Sequence, residues 1–428
     1  MNKSLTIIKK FIAKHKYQII FVSIFLLHLF LRFYQLEERT PFNWDQVDNA
    51  WAAKNIIVDH KFPLVGMQAK LNSGIYIGPL YYYYVSIFYF ITNLDPIASG
   101  VIAGITSIFT FFILFLITKK IFDYKTALIA IFINTVSYHI IASDRVQWPV
   151  GFIVPISLII FYSLYKILTG NEKYFVLLGV TLGLSFNIHF TSVFYPIIIL
   201  LTLPFFPRTK EALKFLLLSI IVFIPFIIPQ LITLLSFSSG KTLVSYTNSN
   251  YHGFHLVRFF QVAKDAFIEF EAVLLSKISF SALLEPTKYF FLPLFILIMI
   301  FKEYTRERII LVYLSLLWFM IPWLVFSIYS GEISNYYFYI TRPIVILVIS
   351  FITMKLFLLK NIYLNLIISM LVIVYSFINL QNFMIGNNYK ESLKYYKNRT
   401  WKAIKEKRPI EFKEGVPDSY IYYIYKQR

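Results

Sequence analysis

The chain has 428 residues, is 58% hydrophobic and 15% charged, and carries a formal net charge of +19. A soluble domain of this size cannot hide so much apolar surface, so the composition excludes a soluble enzyme and points to an all-α polytopic membrane protein. The excess of basic residues lies between apolar runs rather than on one soluble face, which argues against nucleic acid, and the absence of cysteine removes disulfides and thiol chemistry.

A bilayer span needs roughly 20 mostly apolar residues. The first such run, 17–36, follows a lysine-rich start (Lys9, Lys10, Lys14, Lys16) and lacks a small-residue cleavage site, so it reads as a retained first helix. Behind it comes "NWDQVDNAW" at 43–51, a polar cluster with helical periodicity. Trp44, Val47, Trp51 and Ile56 form an apolar side expected to face lipid, with Asp45, Asp48 and Asn49 on another side, the pattern of a helix in the interface plane. Asp45 and Asp48 are three apart and share a face. A carboxylate at the lip of an apolar cavity has a raised pKa and is a candidate general base. The plainer reading is a surface acid that caps the helix or pairs with Lys54.

Residues 77–94, "IGPLYYYYVSIFYFITNL", are either a span or an interfacial segment. Four consecutive tyrosines suit the headgroup level. If the segment does not cross and the N-terminus is cytoplasmic, the loops with Lys119, Lys120, Lys125, Lys173, Arg208, Lys210, Arg306, Arg308 and Lys360 all fall inside; if it crosses, all move outside. The positive-inside bias selects the first topology. The later runs are 96–118, 126–142, 150–168, 174–190, 212–236, 309–329, 341–359 and 361–385. With the shorter apolar pieces between them they give about eleven spans, N-terminus in and C-terminus out. The tail after 385 is basic (Lys394, Lys397, Arg399) and runs against the bias.

This topology gathers the polar, non-basic stretches on the external face. Asp144, in "ASDRVQWP", follows a span directly and has Arg145 as its obvious partner. With Asp45 on the same side it reads instead as the second acid of a site, since polar groups at membrane depth are functional suspects. Two acids could divide acceptor deprotonation from orientation, or together hold a divalent cation such as Mg or Mn. Asn187, His189 and Thr191 sit where a helical hairpin turns. Arg342 follows Asn335, Tyr336 and Tyr337, a set that suits a phosphate, or else an aromatic belt with a snorkelling arginine. Segment 237–287 is a long external loop and a candidate substrate lid. The site expected is thus Asp45 and Asp144 as catalytic acids, with Asp48, Asn49, Lys70, Tyr81, Asn187, His189, Tyr336, Tyr337 and Arg342 as substrate contacts. Residues 1–385 form the transmembrane catalytic body and 386–428 a small external tail.

The order of these elements along roughly 15–345 resembles the GT-C membrane glycosyltransferases of the family 39 group, which includes protein O-mannosyltransferases and lipid A aminoarabinose transferases. The resemblance rests on Asp45 in the first external loop, the Gly-Pro-Leu-Tyr segment from Gly78, Asp144 with Trp148-Pro149, the His189-x-Thr191 hairpin and the late "NYYFYITRP". It implies a polyprenyl-phosphate sugar donor, an inverting transfer to a lipid, polysaccharide or protein acceptor, Asp45 as base and Asp144 as second essential acid. Donor phosphate would fall to Arg342 or Lys70. No lysine directly precedes the Gly-Pro-Leu-Tyr segment, a departure from the lipid A enzymes. The chief rival is a transporter or flippase, which would favour charges at mid-span and two matching halves; the sequence has no internal repeat.

Overall fold

The computed structural model describes residues 2–68, 73–235, 237–250, 253–275, 285–302, 305–386, 391–410 and 415–427. Among the described residues the regular structure is helical, with two isolated bridges (Pro41 with Ser392, Gln68 with Tyr76). Among the described residues six helices are long and apolar enough to cross a membrane. They are α1 (Asn2–Phe33), α5 (Ala98–Ile121), a 3-10 turn continuing into α8 (Ile153–Leu168), α11 (Lys210–Leu234), α16 (Arg306–Ser327) and α18 (Ile362–Ile385). A seventh path is broken: α6 (Tyr124–Val136) and α7 (Tyr138–Asp144) meet at 69°. The bend leaves Asp144 at the end of a separate short helix.

Four further apolar helices are shorter: α9 (Tyr174–Ser185), α10 (Phe194–Thr202) with the turns flanking it, α15 (Phe291–Lys302) and α17 (Arg342–Phe357). The run 174–190 promised a full span, but α9 has 12 residues, about 18 Å at 1.5 Å per residue. It ends because residues 186–189 turn back to start the next element. Helix starts carry ordinary caps: Asp123 accepts from Thr126 N–H, Thr209 from Ala212 N–H and Asn361 from Leu364 N–H. The bundle core runs through α5, α6, α8, α16 and α17, while α11 and α18 leave Leu217, Ile221, Ile367 and Ile373 exposed, faces suited to lipid.

A second core lies beside the bundle. Here α3 (Trp44–Ile57), α4 (Leu80–Ile91) and the tail helices α19 (Leu393–Lys405) and α20 (Pro417–Gln427) bury Phe42, Val47, Ala50, Tyr89, Leu393 and Tyr420 together. With 12 residues, α4 is too short to span, as the charge distribution required. The apolar side of α3 does not face lipid as expected. Val47 and Ile56 are buried, and Trp51 packs edge-on against Tyr420 at 5.2 Å; Trp44 alone of that set is mostly exposed. Periodicity marks an apolar face but not its covering, and here α4 and the tail supply it. The remaining elements are α2 (Leu36–Arg39) and α12 (Phe237–Asn250), α13 (Leu256–Ala266) and α14 (Ile268–Leu275) of the long loop.

Candidate active site

Asp45 occupies the first turn of α3. Gln46 turns back to accept the Asn43 N–H at 2.9 Å and donates to the Gln147 carbonyl at 2.7 Å, which ties α3 to the loop after Asp144. The Asp45 carboxyl is half-buried; burial raises its pKa, and the charge of Asp48 raises it further. Asp48 accepts a hydrogen bond from the Tyr82 hydroxyl at 2.7 Å. Asn49 points inward, fully buried, donating to the Asp45 carbonyl, while its Oδ1 has no partner among the described residues. The Tyr81 hydroxyl accepts from Gln147 Nε2 at 2.9 Å, and Tyr81 and Asp144 line one small cleft.

Arg145 does not take the role of partner to Asp144 that adjacency suggested. Asp144 Oδ2 receives Arg32 Nη2 at 2.7 Å, Arg32 Nε at 3.1 Å and the Ser107 hydroxyl at 2.8 Å. Arg32 sits at the end of α1, without exposure, and also donates to the Thr135 and Asn134 carbonyls of α6. His28 completes the cluster against Ser107 and Thr135. Arg145 instead donates to carbonyls of Leu31, Arg32, Tyr34, Gln35 and Arg39, capping the C-terminus of α1 where its dipole is negative.

Arg342 has a full set of protein partners. It is buried, donates to Glu269 at 2.6 Å, to Ser143 at 2.9 Å and meets His139 at 2.7 Å, with its guanidinium 3.5 Å from the Tyr339 ring centre. Burial pushes Glu269 up, but the charge of Arg342 and its hydrogen bond outweigh it and hold the carboxyl at about 2. This ion pair anchors α14, and with it part of the 237–287 loop, to the start of α17. Lys70, the other cation read as a phosphate partner, lies outside the described residues. On either side of it the described residues pair as the arms of a short hairpin, Gly66 N–H donating to Ile77 O and Ile77 N–H to Met67 O.

Asn187 latches the Gly-Pro-Leu-Tyr segment. Its Oδ1 accepts from Leu80 N–H and its amide donates to Gly183 O and Phe226 O, while a Cβ at Gly78 would overlap it, so only glycine fits there. His189 is buried, and burial lowers its pKa to about 3, so the ring is neutral. Its Nδ1 accepts Thr191 N–H, which leaves the hydrogen on Nε2. The ring packs against Tyr336 at 5.6 Å and Tyr337 at 5.4 Å, and Trp148 meets Tyr336 at 5.1 Å. Burial, then Tyr337 and, last, the charge of Asp45 push the Tyr336 hydroxyl up to about 12, so it stays a donor.

Two cavities lie near Asp45, which lines neither: one holds Asp48, one turn along α3, and the other His189, which packs on Tyr336. The first is a polar hollow of about 310 Å³ that includes Asp48 and Tyr82. The second, an apolar cavity of about 360 Å³, runs from His189 and the hairpin residues Gly74–Ile77 along Phe223, Ile227 and Leu231 of α11. Among the described residues no three acids or histidines converge as a metal site. The sequence reading passed over Arg32, Tyr82, Gln147, His139 and Glu269. A signal existed for Arg32, a charge inside an apolar run; Glu269 and His139 carry none without the fold that joins them.

A sequence model of the family described as dolichyl-phosphate-mannose-protein mannosyltransferase matches residues 77–232, from the end of the hairpin to α11. No curated protein matches. Among solved structures, ArnT from Cupriavidus metallidurans bound to undecaprenyl phosphate superposes with a TM-score of 0.61 at 9% identity, over 94% of this chain and 84% of that one. The oligosaccharyltransferase AglB from Archaeoglobus fulgidus, in complex with an inhibitory peptide and a dolichol-phosphate, does so at 0.55 and 13%, over 97% of this chain and 60% of that one. At such identities the likeness is one of fold. The chain is a polytopic membrane protein of the GT-C fold, related in architecture to mannosyltransferases and aminoarabinose transferases.

Proposed function

We propose that the protein is an inverting glycosyltransferase that moves one sugar from a polyprenyl phosphate to an acceptor hydroxyl at the external face of the membrane. The observation that carries this reading is the half-buried Asp45 with its raised pKa, one turn along α3 from the polar hollow at Asp48 and acting by its charge on Tyr336, whose neighbour His189 lines the apolar cavity. A polyprenyl chain would lie in the apolar cavity, open along the lipid-facing α11, with its phosphate at the Tyr336–Tyr337 turn. Asp45 takes the acceptor proton, the freed oxygen forms a bond to the anomeric carbon, and the bond from that carbon to the phosphate oxygen breaks, releasing polyprenyl phosphate. The raised pKa of Asp45 makes it a stronger base than an ordinary aspartate. Asp144, neutralised by Arg32, positions Tyr81 and the loop carrying Gln147 and Trp148.

Phosphate charge is assigned to Lys70, because Arg342 is already matched by Glu269; the tyrosine hydroxyls add neutral donors. We further propose that transfer needs no divalent cation. One oxygen of Asp144 is taken by Arg32 and Ser107, and a hard cation wants six or more oxygens. Chelation with EDTA should therefore leave the rate within about twofold; a loss that Mg or Mn restores would overturn this point.

The test is a mass-spectrometric inventory of polyprenyl-phosphate sugars in membranes of cells making the native protein, no protein, or Asp45→Asn. One species should accumulate without the protein and stay uncleared by Asp45→Asn. A flippase would move the species without consuming it; if no lipid-linked sugar changes in amount, the transferase reading falls.

A further inference from the structure

The polar hollow beside Asp48 has a composition that the donor does not explain. Asp48, Trp51 and Asn55 of α3 form its floor, Lys61 and Phe62 of the following segment one side, and Tyr82 another. Gly415 of the tail also lines it. We propose that this hollow is the acceptor site, that the acceptor is a saccharide, and that the tail is the wall that selects it. The proposal rests on the transferase reading and names its second substrate.

Three observations support it. First, the lining pairs aromatic surface (Trp51, Phe62) with a carboxylate, an amide, an ammonium and a phenol. That mixture offers both donors and acceptors to a ring of hydroxyls and apolar faces to the ring carbons. A lipid acceptor would want an apolar slot, and the slot present is the separate one behind His189. Phe62 is 64% exposed, so its ring face is open to the carbons of a bound sugar. Second, Asp48 lies one helical turn from Asp45 and is already held by Tyr82 at 2.7 Å. A sugar bound over Asp48 would sit one helical turn from the base.

Third, the wall is fixed. Gly415 has φ +85°, open to glycine, and a Cβ there would run into the Trp44 ring. Behind it Trp51 packs on Tyr420 and Tyr423 at 5.2 and 5.4 Å, and Lys54 lies 5.4 Å over the Tyr423 ring. The same tryptophan thus faces the hollow and anchors the tail, so the shape of the hollow depends on the tail being docked.

The experiment is saturation-transfer-difference NMR on the full-length protein in nanodiscs. The probes are oligosaccharides released from the surface polysaccharide of the producing cells and, in parallel, tryptic peptides of their envelope proteins. Saturation should reach the sugars and not the peptides. Asn55→Ala and Lys61→Ala should each weaken the sugar signal by about tenfold, the effect of losing one polar partner. Gly415→Val should do the same. Retention of undecaprenyl phosphate, read by native mass spectrometry, should be unchanged in all three. Peptide binding without sugar binding, no sugar binding at millimolar concentration, or sugar binding indifferent to Asn55→Ala and Lys61→Ala would each overturn the proposal. Binding is read without turnover, so it fails or survives independently of the lipid-linked sugar inventory that tests the transferase reading.

Discussion

Two carboxylates, Asp45 and Asp48, stand one turn apart with one of them half-buried, and this sets an acid limit on catalysis. Asp45 must be ionised to accept a proton, so the rate falls as pH drops through its raised pKa. The limb should lie above the ordinary aspartate range. Asp48→Asn removes the like charge and should move the limb to lower pH, read from kcat/KM against pH; a limb that stays put would mean the two acids do not interact. The same shift makes ionised Asp45 a cost to folding: between its unfolded and folded pKa values the native state binds more protons, so stability declines as pH rises through that window. Arg32 and Asp144 behave differently. Arg32→Met leaves Asp144 without its counter-charge at a largely buried position, and Asp144→Leu strands Arg32; each should cost roughly 3–5 kcal/mol in nanodisc unfolding. The double variant should regain most of that stability yet not the activity. Asp45, Asp144, His189 and the two tyrosines were legible because polar groups stand out against apolar runs. The partner of Asp144 was not, since adjacency favoured Arg145 while the fold brought Arg32 from more than a hundred residues away.

At the level of elements, the tail is part of the site layer rather than a loose appendage. Leu393 N–H donates to Thr40 O, Phe42 N–H to Glu391 O, and Lys397 pairs with Glu37 and Asp95. Tyr420 is fully buried and donates to Leu94 O. Tyr420→Ala should cost about 3–5 kcal/mol, by analogy with other large aromatic truncations, and should show as trypsin cleavage within α19 at concentrations that leave the native protein whole. Lys394→Ala, which loses an exposed pair with Glu38, should change cleavage little. If both variants resist trypsin like the native chain, docking of the tail does not depend on its aromatic core. The basic character of this tail can be read from its sequence, but its helices were not foreseen. Its partner cannot be read, because a stripe of apolar residues fits lipid, α4 or another chain equally well; the same ambiguity turned the expected lipid face of α3 into a packed one. The short helix α9 was similarly hidden, since its apolar run continues past the turn that ends it.

For the whole molecule, the topology expected from the charge distribution, and proposed here, would put the α8–α9 connection in the cytoplasm and the tail outside. The native chain has no cysteine, so single cysteines report cleanly. In intact cells Glu406→Cys should react with a membrane-impermeant maleimide and Lys173→Cys only after permeabilisation; the opposite pattern would put the site on the cytoplasmic face. The order of motifs along the chain made the GT-C architecture readable, whereas the two cavities, at Asp48 and at His189, are built from segments distant in sequence and emerge only once folded. The most direct test of that arrangement is chemical rescue. Membranes with native protein or Asp45→Ala are supplied with labelled lipid-linked sugar, with and without formate. Loss of a general base should slow transfer about 10²–10⁴-fold, and formate, small enough to enter the vacated position, should restore part of the rate in Asp45→Ala alone. Transfer at the native rate by Asp45→Ala without formate would show that the proton leaves by another route and that Asp45 is not the base.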